Sequence, residues 1–150
     1  MDAPLRVATL VDTEILLGLI RAYYTHDDIP FNEATIRAGL DQLLLDQSLG
    51  RVWLIEHEGQ DVGYVILTFA FDLEFGGREA FITDLYIAPN YCQKGLGRRT
   101  LEAIEGFCRE LGLRTIELQV ERNNPQAQSF YHKFGFQSHD RIPMSKDLSR

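Results

Sequence analysis

Residues 84–99 read Asp-Leu-Tyr-Ile-Ala-Pro-Asn-Tyr-Cys-Gln-Lys-Gly-Leu-Gly-Arg-Arg, and this stretch decides the fold. A strand rich in large apolar residues ends near Pro89, and Gly95 and Gly97 then open a helix whose apolar positions recur at steps of three and four. The N-terminus of a helix exposes unpaired N–H groups and a partial positive charge, so it suits a phosphate. Three cationic side chains stand beside the loop: Lys94, Arg98 and Arg99. The stretch therefore predicts a strand–loop–helix unit that fits a pyrophosphate; taken alone, a Gly-x-Gly also occurs where a loop simply packs beneath a helix, and by itself it favours that alternative.

Two common glycine-rich phosphate motifs do not match this loop. A Walker A loop needs Gly-x-x-x-x-Gly-Lys-Ser/Thr, which the chain lacks. A dinucleotide-binding fingerprint needs a third glycine three residues after Gly97, where Thr100 stands. That fingerprint also follows the first strand of a parallel unit, whereas this loop follows strands joined by tight turns.

The residues before the loop predict two helices and an antiparallel meander. The helices begin near Asp12 and Asn32, whose side chains are suited to capping free backbone N–H groups. Three strands joined by turns follow at residues 52–57, 62–71 and 80–87.

The residues after the loop extend this sheet. The pattern predicts a helix that ends at Gly112, a strand over 113–120, a short helix capped by Asn124, and two short strands at 136–139 and 142–147. With a first strand at 5–8, the fold class is α/β (α+β), in a single domain over residues 1–150. We expect a mixed, largely antiparallel sheet of about six to seven strands flanked by four helices.

Composition excludes several classes of function. The net charge is −7, with 13 acids and 4 bases in residues 1–75 against 9 acids and 11 bases in residues 76–150. No Lys/Arg-rich run supports nucleic-acid binding. Two cysteines without a CxxC pair and four histidines without metal spacing indicate neither a disulfide framework nor a metal. No secretory signal or membrane-length apolar run is visible, so we expect a cytoplasmic protein without a membrane partner.

A second motif occupies residues 124–136. Asn124, Ala127, Tyr131 and the pair Gly135-Phe136 stand at fixed spacing. Taken alone, Asn124 suits a helix cap and Tyr131 suits amphipathic packing. Together with the glycine loop, however, the motif resembles the GNAT superfamily of N-acetyltransferases. The loop is similar to that family's Arg/Gln-x-x-Gly-x-Gly/Ala, and the second stretch to its Asn-x-x-Ala-x-x-x-Tyr followed by Gly-Phe. The resemblance covers nearly the whole chain and is weakest near the N-terminus.

The resemblance implies a GNAT-like fold that uses acetyl-CoA as cosubstrate. By this resemblance, the backbone of the strand end pairs with the pantetheine arm and holds the acetyl carbonyl, through Leu85, Tyr86 and Ile87. The pyrophosphate loop comprises Gln93, Lys94, Gly95, Leu96, Gly97 and Arg98. Asn124 matches an asparagine near the pantetheine, and Tyr131 matches the general acid for the departing thiolate.

Two positions depart from the family patterns. Cys92 stands three residues before Gly95, where the family has Arg or Gln, so Lys94, Arg98 and Arg99 are left to supply cationic groups. Residues 81–87 also resemble the Glu-Asp-Leu-Tyr/Phe-Val strand of diamine acetyltransferases, but Thr83 occupies the Glu position.

The sequence defines the residues that bind and deprotonate the amine acceptor less clearly. Asp84 is our candidate for the base that removes the proton of the amine, directly or through water, and the alternative is a polar residue that binds a helix end or substrate. Asp27 and Asp28, between the first two helices, are candidates for binding a cationic amine, and the alternative is that they are turn and cap residues. Residues 1–75, with a net charge of −9, suit such a cationic amine.

The resemblance therefore implies an acetyl-CoA-dependent N-acetyltransferase that moves an acetyl group to a primary amine by direct attack. The alternative is a non-catalytic acyl-CoA-binding or protein-interaction module with the same fold. A homodimer is common in the family, whereas the sequence itself specifies neither the oligomeric state nor the acceptor.

Overall fold

The computed structural model describes residues 4–149. Five strands and four helices follow one another as β1 (Leu5–Val7), α1 (Thr13–His26), α2 (Glu33–Leu45), β2 (Gly50–His57), β3 (Gln60–Asp72), β4 (Gly77–Ile87), α3 (Leu96–Glu110), β5 (Thr115–Glu117) and α4 (Pro125–Lys133). Short 3-10 turns lie at Leu10–Asp12 and Pro89–Tyr91. The chain divides into two compact units, one up to Gln119 and one from Val120 onward.

The first unit contains one sheet with the strand order β1-β2-β3-β4-β5. The first four strands pair antiparallel with their neighbours, and β5 pairs parallel with β4 after the crossover through α3. This arrangement confirms the predicted mixed, largely antiparallel sheet with four helices. The number of strands is lower than predicted.

Helices α1 and α2 cover one face of the sheet. Alternation along β2 directs Val52 and Leu54 to that face, where they join a core with Leu16 and Ile20 of α1 and Leu40 of α2. The asparagine cap predicted for α2 is confirmed, because Asn32 Oδ1 accepts a hydrogen bond from the Thr35 N–H at 3.0 Å.

Helix α3 covers the opposite face. Trp53 alternates with Val52 and Leu54, and its ring meets the Phe107 ring edge-on at 4.9 Å. At its N-terminal end, Leu96 is fully buried in a cluster with Ile55 and Val62. This cluster anchors the glycine loop, which directly precedes Leu96, at one end of the sheet.

Asp12 has a different role from the predicted one. Its side chain makes no cap bond to α1. Instead, it closes the preceding 3-10 turn by accepting the Thr9 N–H at 2.9 Å, and it also binds Arg6 at 3.0 Å. Arg6 is in turn paired with Asp61, so this ion-pair network joins β1 to the β2–β3 hairpin.

The second unit contains α4 as its regular element among residues 120–149. Asn124 caps this helix, because its Oδ1 accepts the Ala127 N–H at 3.1 Å, as predicted. The two strands predicted at 136–139 and 142–147 are wrong: residues 136–149 contain neither helix nor strand. A strand is stabilised by pairing and by burial of one face, whereas Ile142 and Met144 remain 77% and 91% exposed. The predicted strand over 113–120 is shorter, at Thr115–Glu117.

Candidate active site

Asp84 lies in the second half of β4, where a buried phenol orients its carboxylate. The Tyr64 hydroxyl donates a hydrogen bond to Asp84 Oδ2 over 2.7 Å, and Tyr64 is fully buried. Burial raises the pKa of Asp84, and this hydrogen bond opposes the rise. Burial and the charge of Asp84 raise the pKa of Tyr64 as well, so the phenol stays protonated. Asp84 is therefore an oriented carboxylate that is more basic than an exposed one.

A β-bulge beside Asp84 changes the direction of its strand. Ile66 pairs with Asp84, but the next residue, Leu67, pairs with Ile82, which leaves Thr83 as an extra residue in β4. Successive residues of a regular strand face opposite sides, whereas a bulge bends the strand and redirects its side chains. Consequently Thr83 and Asp84, although adjacent in the chain, line the same cavity.

This cavity, of about 290 Å³, lies between α1, α2 and the β3–β4 part of the sheet. Its apolar wall comprises Ile20, Ile36, Leu40, Leu43 and Ile66. Hydroxyl groups come from Tyr24, Thr35, Thr68 and Thr83. Among the described residues that line it, Asp84 alone carries a carboxylate. The cavity thus combines apolar walls with one acidic group.

Aromatic rings surround the Asp84–Tyr64 pair. The rings of Tyr23, Tyr64 and Tyr86 lie with their centroids 5.6–6.5 Å apart. Burial, followed by the charge of Asp84, raises the pKa of Tyr24. Through Tyr64, the Asp84 carboxylate is thus attached to a cluster of aromatic rings.

The edge of β4 beyond Phe81 is unpaired on the β5 side. Strand β5 pairs with β4 only over Glu79–Phe81, while β4 continues to Ile87. No strand among residues 4–149 pairs with this continuation on that side. Leu85, Tyr86 and Ile87, predicted to bind pantetheine through their backbones, lie in this unpaired part.

The glycine loop leads from β4 into α3 as predicted. Gly95 has a φ of +74°, in the left-handed region that favours glycine, and it is the N-cap of the 15-residue α3. The first turn of α3 contains no acidic residue, and Lys94 and Arg98 are exposed beside it. Arg98 also forms a 3.7 Å ion pair with Glu102. The loop therefore presents free N–H groups and positive charge at one helix end.

Cys92 is directed toward the backbone. Its thiol donates to the carbonyl oxygens of Ile87 at 3.3 Å and Ala88 at 3.6 Å. The residue that replaces the family's Arg or Gln is therefore part of the turn that links β4 to the loop.

Tyr131 and Asn124 lie in the second unit, Tyr131 on α4 and Asn124 as the N-cap residue directly before it. The Tyr131 ring packs edge-on against Phe130 at 5.2 Å and Phe136 at 5.7 Å. Burial raises the pKa of Tyr131 to about 12, so its phenol is protonated at neutral pH. A protonated phenol is the form that a general acid requires.

Residues 14–136 match the acetyltransferase (GNAT) family. The chain belongs to this family. The match includes the cavity, the β4 edge, the glycine loop and Tyr131. It confirms the family suggested by the two sequence motifs.

Three relatives illustrate the similarity. The uncharacterised N-acetyltransferase YhfO of Bacillus subtilis is 27% identical over 123 residues, which cover 81% of this chain and 79% of that protein. A putative ribosomal protein bS18-alanine N-acetyltransferase of the same organism is 31% identical over 94 residues, which cover 63% of this chain and only 58% of that protein. The crystal structure of an integron cassette protein from the mobile metagenome of Cole Harbour Salt Marsh superposes with a TM-score of 0.86 at 28% identity, covering 98% of this chain and 91% of that one.

The predicted enzyme class is confirmed by these comparisons: the chain is an N-acetyltransferase of the GNAT family, whose members use acetyl-CoA. None of the helices within residues 4–149 has the length and apolar character needed to span a bilayer.

The structure brings several of the predicted site residues together in the first unit. Asp84 and the β4 edge follow one another in one strand, and Leu85 and Ile87 pack against the cluster that contains Leu96. Asp27 and Asp28 lie elsewhere, exposed at the C-terminal end of α1, and they do not line the cavity. Asp27 accepts a hydrogen bond from His26 Nδ1 at 3.0 Å, and Asp28 has a φ of +57°.

Sequence reasoning missed Tyr64 and the bulge at Thr83. Tyr64 stands in a strand of large apolar residues, and its polar hydroxyl in such a run is a signal that a buried partner exists. The bulge leaves no comparable signal, because it depends on the register between β3 and β4.

Proposed function

We propose that this GNAT enzyme transfers the acetyl group of acetyl-CoA to a primary amine bound in the cavity beside Asp84. One observation carries the proposal: a half-buried carboxylate, oriented by Tyr64, opens into a cavity immediately before the unpaired edge of β4. A proton acceptor and a backbone edge for an extended ligand thus occur within four residues of one strand.

Asp84 accepts the proton that the amine must lose. The bound ammonium first passes one proton to Asp84, directly or through one water, and Asp84 releases it to solvent. The neutral amine then attacks the thioester carbonyl carbon, so a C–N bond forms and the C–S bond breaks, and the second proton on nitrogen leaves by the same route. The raised pKa of Asp84 makes it a stronger base than an exposed aspartate. Tyr64 keeps the carboxylate aimed during this transfer.

The unpaired edge of β4 and the glycine loop hold the cosubstrate in the proposal. The backbone at Leu85, Tyr86 and Ile87 hydrogen-bonds the pantetheine arm as an added strand would. The N–H groups at the start of α3, with Lys94 and Arg98, bind the pyrophosphate. Gln93 and the glycines complete this loop, and Asn124 contributes near the pantetheine in addition to its cap.

Tyr131 is the proposed general acid. The thiolate that leaves when the C–S bond breaks takes the phenolic proton, and solvent returns a proton to Tyr131. The match to the family's Asn-x-x-Ala-x-x-x-Tyr motif supports this role. Burial raises the pKa of Tyr131 to about 12, so the phenol carries its proton before the thiolate leaves.

The lining of the cavity favours a monoamine with an apolar body. Five aliphatic side chains and a single carboxylate suit one cationic nitrogen attached to an alkyl or aryl group. A polycationic acceptor would need further acids, because each buried ammonium group requires a partner.

An acceptor screen tests the proposal. Release of free CoA thiol from acetyl-CoA is measured with alkyl and aryl monoamines, diamines, polyamines, aminoglycosides and peptide N-termini. We expect turnover with monoamines, and at least a 100-fold lower kcat for Asp84→Asn and Tyr131→Phe, since general acid–base catalysis contributes about 10²–10⁴-fold. If CoA binds but no amine gives turnover, the non-catalytic module is the better description.

The proposal also includes the domain organisation, the location and the oligomeric state of the enzyme. We propose that residues 1–150 act as one N-acetyltransferase domain in the cytoplasm, and that the enzyme forms a homodimer. Cys92 and Cys108 are both free thiols, which supports a reducing compartment. Light scattering at assay concentration tests the dimer.

A further inference from the structure

Three carboxylates meet on one face of the sheet, away from Asp84. Glu79 of β4 pairs with Ala70 of β3 on one side and with Thr115 of β5 on the other. Asp72 and Glu117 each lie two residues further along their strands, so both project from the same face as Glu79. Because β3 and β5 run in opposite directions, Asp72 and Glu117 flank Glu79 from opposite ends along β4.

The geometry of this acidic cluster is tight. One carboxylate oxygen from each of Asp72, Glu79 and Glu117 lies within 4.8 Å of the other two. Glu79 is only 8% exposed, and its Oε2 has no hydrogen-bond partner among the described atoms. No Lys, Arg or His of residues 4–149 forms an ion pair with any of the three.

The other buried acid among residues 4–149 has hydrogen-bond partners. Asp12 is as well buried as Glu79, but it accepts hydrogen bonds from Arg6 and from the Thr9 N–H. The Glu79 carboxylate, by contrast, has those of Asp72 and Glu117 beside it. A buried carboxylate with an unsatisfied oxygen beside two like charges is costly, and a cation bound between the three groups would offset that cost.

We propose that Asp72, Glu79 and Glu117 bind a divalent metal ion of the hard, oxygen-seeking class, with Ca²⁺ as the best match. Ca²⁺ takes oxygen ligands at about 2.3–2.6 Å, so two ligands of one ion lie at most about 5 Å apart. The cluster meets this limit without rearrangement. Mg²⁺ requires shorter bonds and a near-octahedral shell, and therefore fits less well.

The ion would fasten β5 to the sheet. The β4–β5 ladder is only three residues long, and a bridge through Glu79 and Glu117 reinforces it. Glu79 precedes Asp84 by five residues of β4, with the bulge between them, so the site is structural and is independent of the proposed acetyl transfer. Thr68 pairs with Phe81 on the same face as Glu79, and Thr68 also lines the cavity. The alternative occupant of the acidic cluster is therefore an extended cationic amine, and the test distinguishes it from a metal ion.

The test uses the full chain after treatment with EDTA and dialysis. Thermal unfolding is recorded with CaCl₂, MgCl₂, MnCl₂, spermidine, and NaCl at matched ionic strength, and titration calorimetry gives the stoichiometry. We expect one Ca²⁺ per chain and a rise in Tm of about 5–10 °C at a Ca²⁺ concentration about 100 times the Kd. Mg²⁺ should act more weakly than Ca²⁺.

The variant Glu79→Gln keeps the shape of the side chain and removes the central charge. It should lose the Ca²⁺-dependent rise in Tm, while its metal-free form is at least as stable as the wild type because the repulsion is relieved. Glu110→Gln, an exposed acid at the end of α3, is the matched control and should respond to Ca²⁺ like the wild type. The proposal is overturned if no metal ion exceeds the NaCl control, if Glu79→Gln responds like the wild type, or if spermidine alone stabilises the protein.

Discussion

Replacing Tyr64 by Phe should move the pH dependence of catalysis. The substitution removes one hydroxyl, whose hydrogen bond of 2.7 Å stabilises the charged form of Asp84. Without that donor, the pKa of Asp84 rises further, because its burial is unchanged. A base with a higher pKa is deprotonated at higher pH, so the acidic limb of kcat/KM should shift upward.

The size of the shift follows from the hydrogen bond. A bond to a charged group contributes about 1.5–3 kcal/mol, and 1.36 kcal/mol corresponds to a tenfold change in a proton equilibrium. The midpoint of the limb should therefore rise by about 1–2 pH units. At pH values below the wild-type midpoint of this limb, the kcat/KM of the variant should be about 10–100-fold lower than that of the wild type at equal pH.

The assay is the initial rate of thiol release with one amine acceptor, measured for both proteins over the pH range in which they stay folded. Asp84→Asn should lose the limb altogether. Tyr91→Phe removes a hydroxyl that donates to Gln60 Oε1 at 3.0 Å, away from the cavity, and should leave the midpoint in place. An unmoved midpoint in Tyr64→Phe, or a limb that survives in Asp84→Asn, refutes Asp84 as the base.

Three further substitutions test other parts of the structure. Leu96→Ala empties a fully buried position below the glycine loop and should lower the free energy of unfolding in urea by about 2–5 kcal/mol. Gly97→Glu should abolish CoA binding in a calorimetric titration through bulk and like charge, and unchanged affinity would contradict the loop assignment. Arg6→Ala should cost about 1–3 kcal/mol. Burial raises the pKa of Asp12, but hydrogen bonds from Thr9 and Arg6 outweigh it and lower that pKa overall. The contribution of Arg6 to the free energy of unfolding is therefore present at neutral pH and is lost as pH falls through the pKa of Asp12.

The main elements of the first unit are predictable from local rules. Helix α2 follows from the Asn32 cap and its apolar spacing, and the meander follows from alternating strands separated by turns. The left-handed Gly112, with a φ of +73°, ends the α3 segment where predicted. Each of these features is encoded within a few consecutive residues.

The features that sequence reasoning missed depend on contacts between distant residues. The short alternating runs at 136–139 and 142–147 look like strands, but strand formation requires a paired neighbour. Likewise, Tyr64 and Asp84 are 20 residues apart and meet because of the β3–β4 register, which the bulge at Thr83 shifts. Local spacing specifies neither the register nor the bulge.

The short β4–β5 ladder has a consequence for the order in which the sheet assembles. Strands β1 to β4 pair in order along the sheet, and tight turns join β2 to β3 and β3 to β4. Pairing of β5, by contrast, must wait until the whole of α3 has folded back across the sheet. Closing this connection costs more chain entropy than closing the two tight turns and yields only three residue pairs, so β5 should join after the β2–β3–β4 strands have paired. By the same reasoning, the amide protons of Thr115–Glu117 should exchange with solvent before those of β3, so that β5 opens before the central strands.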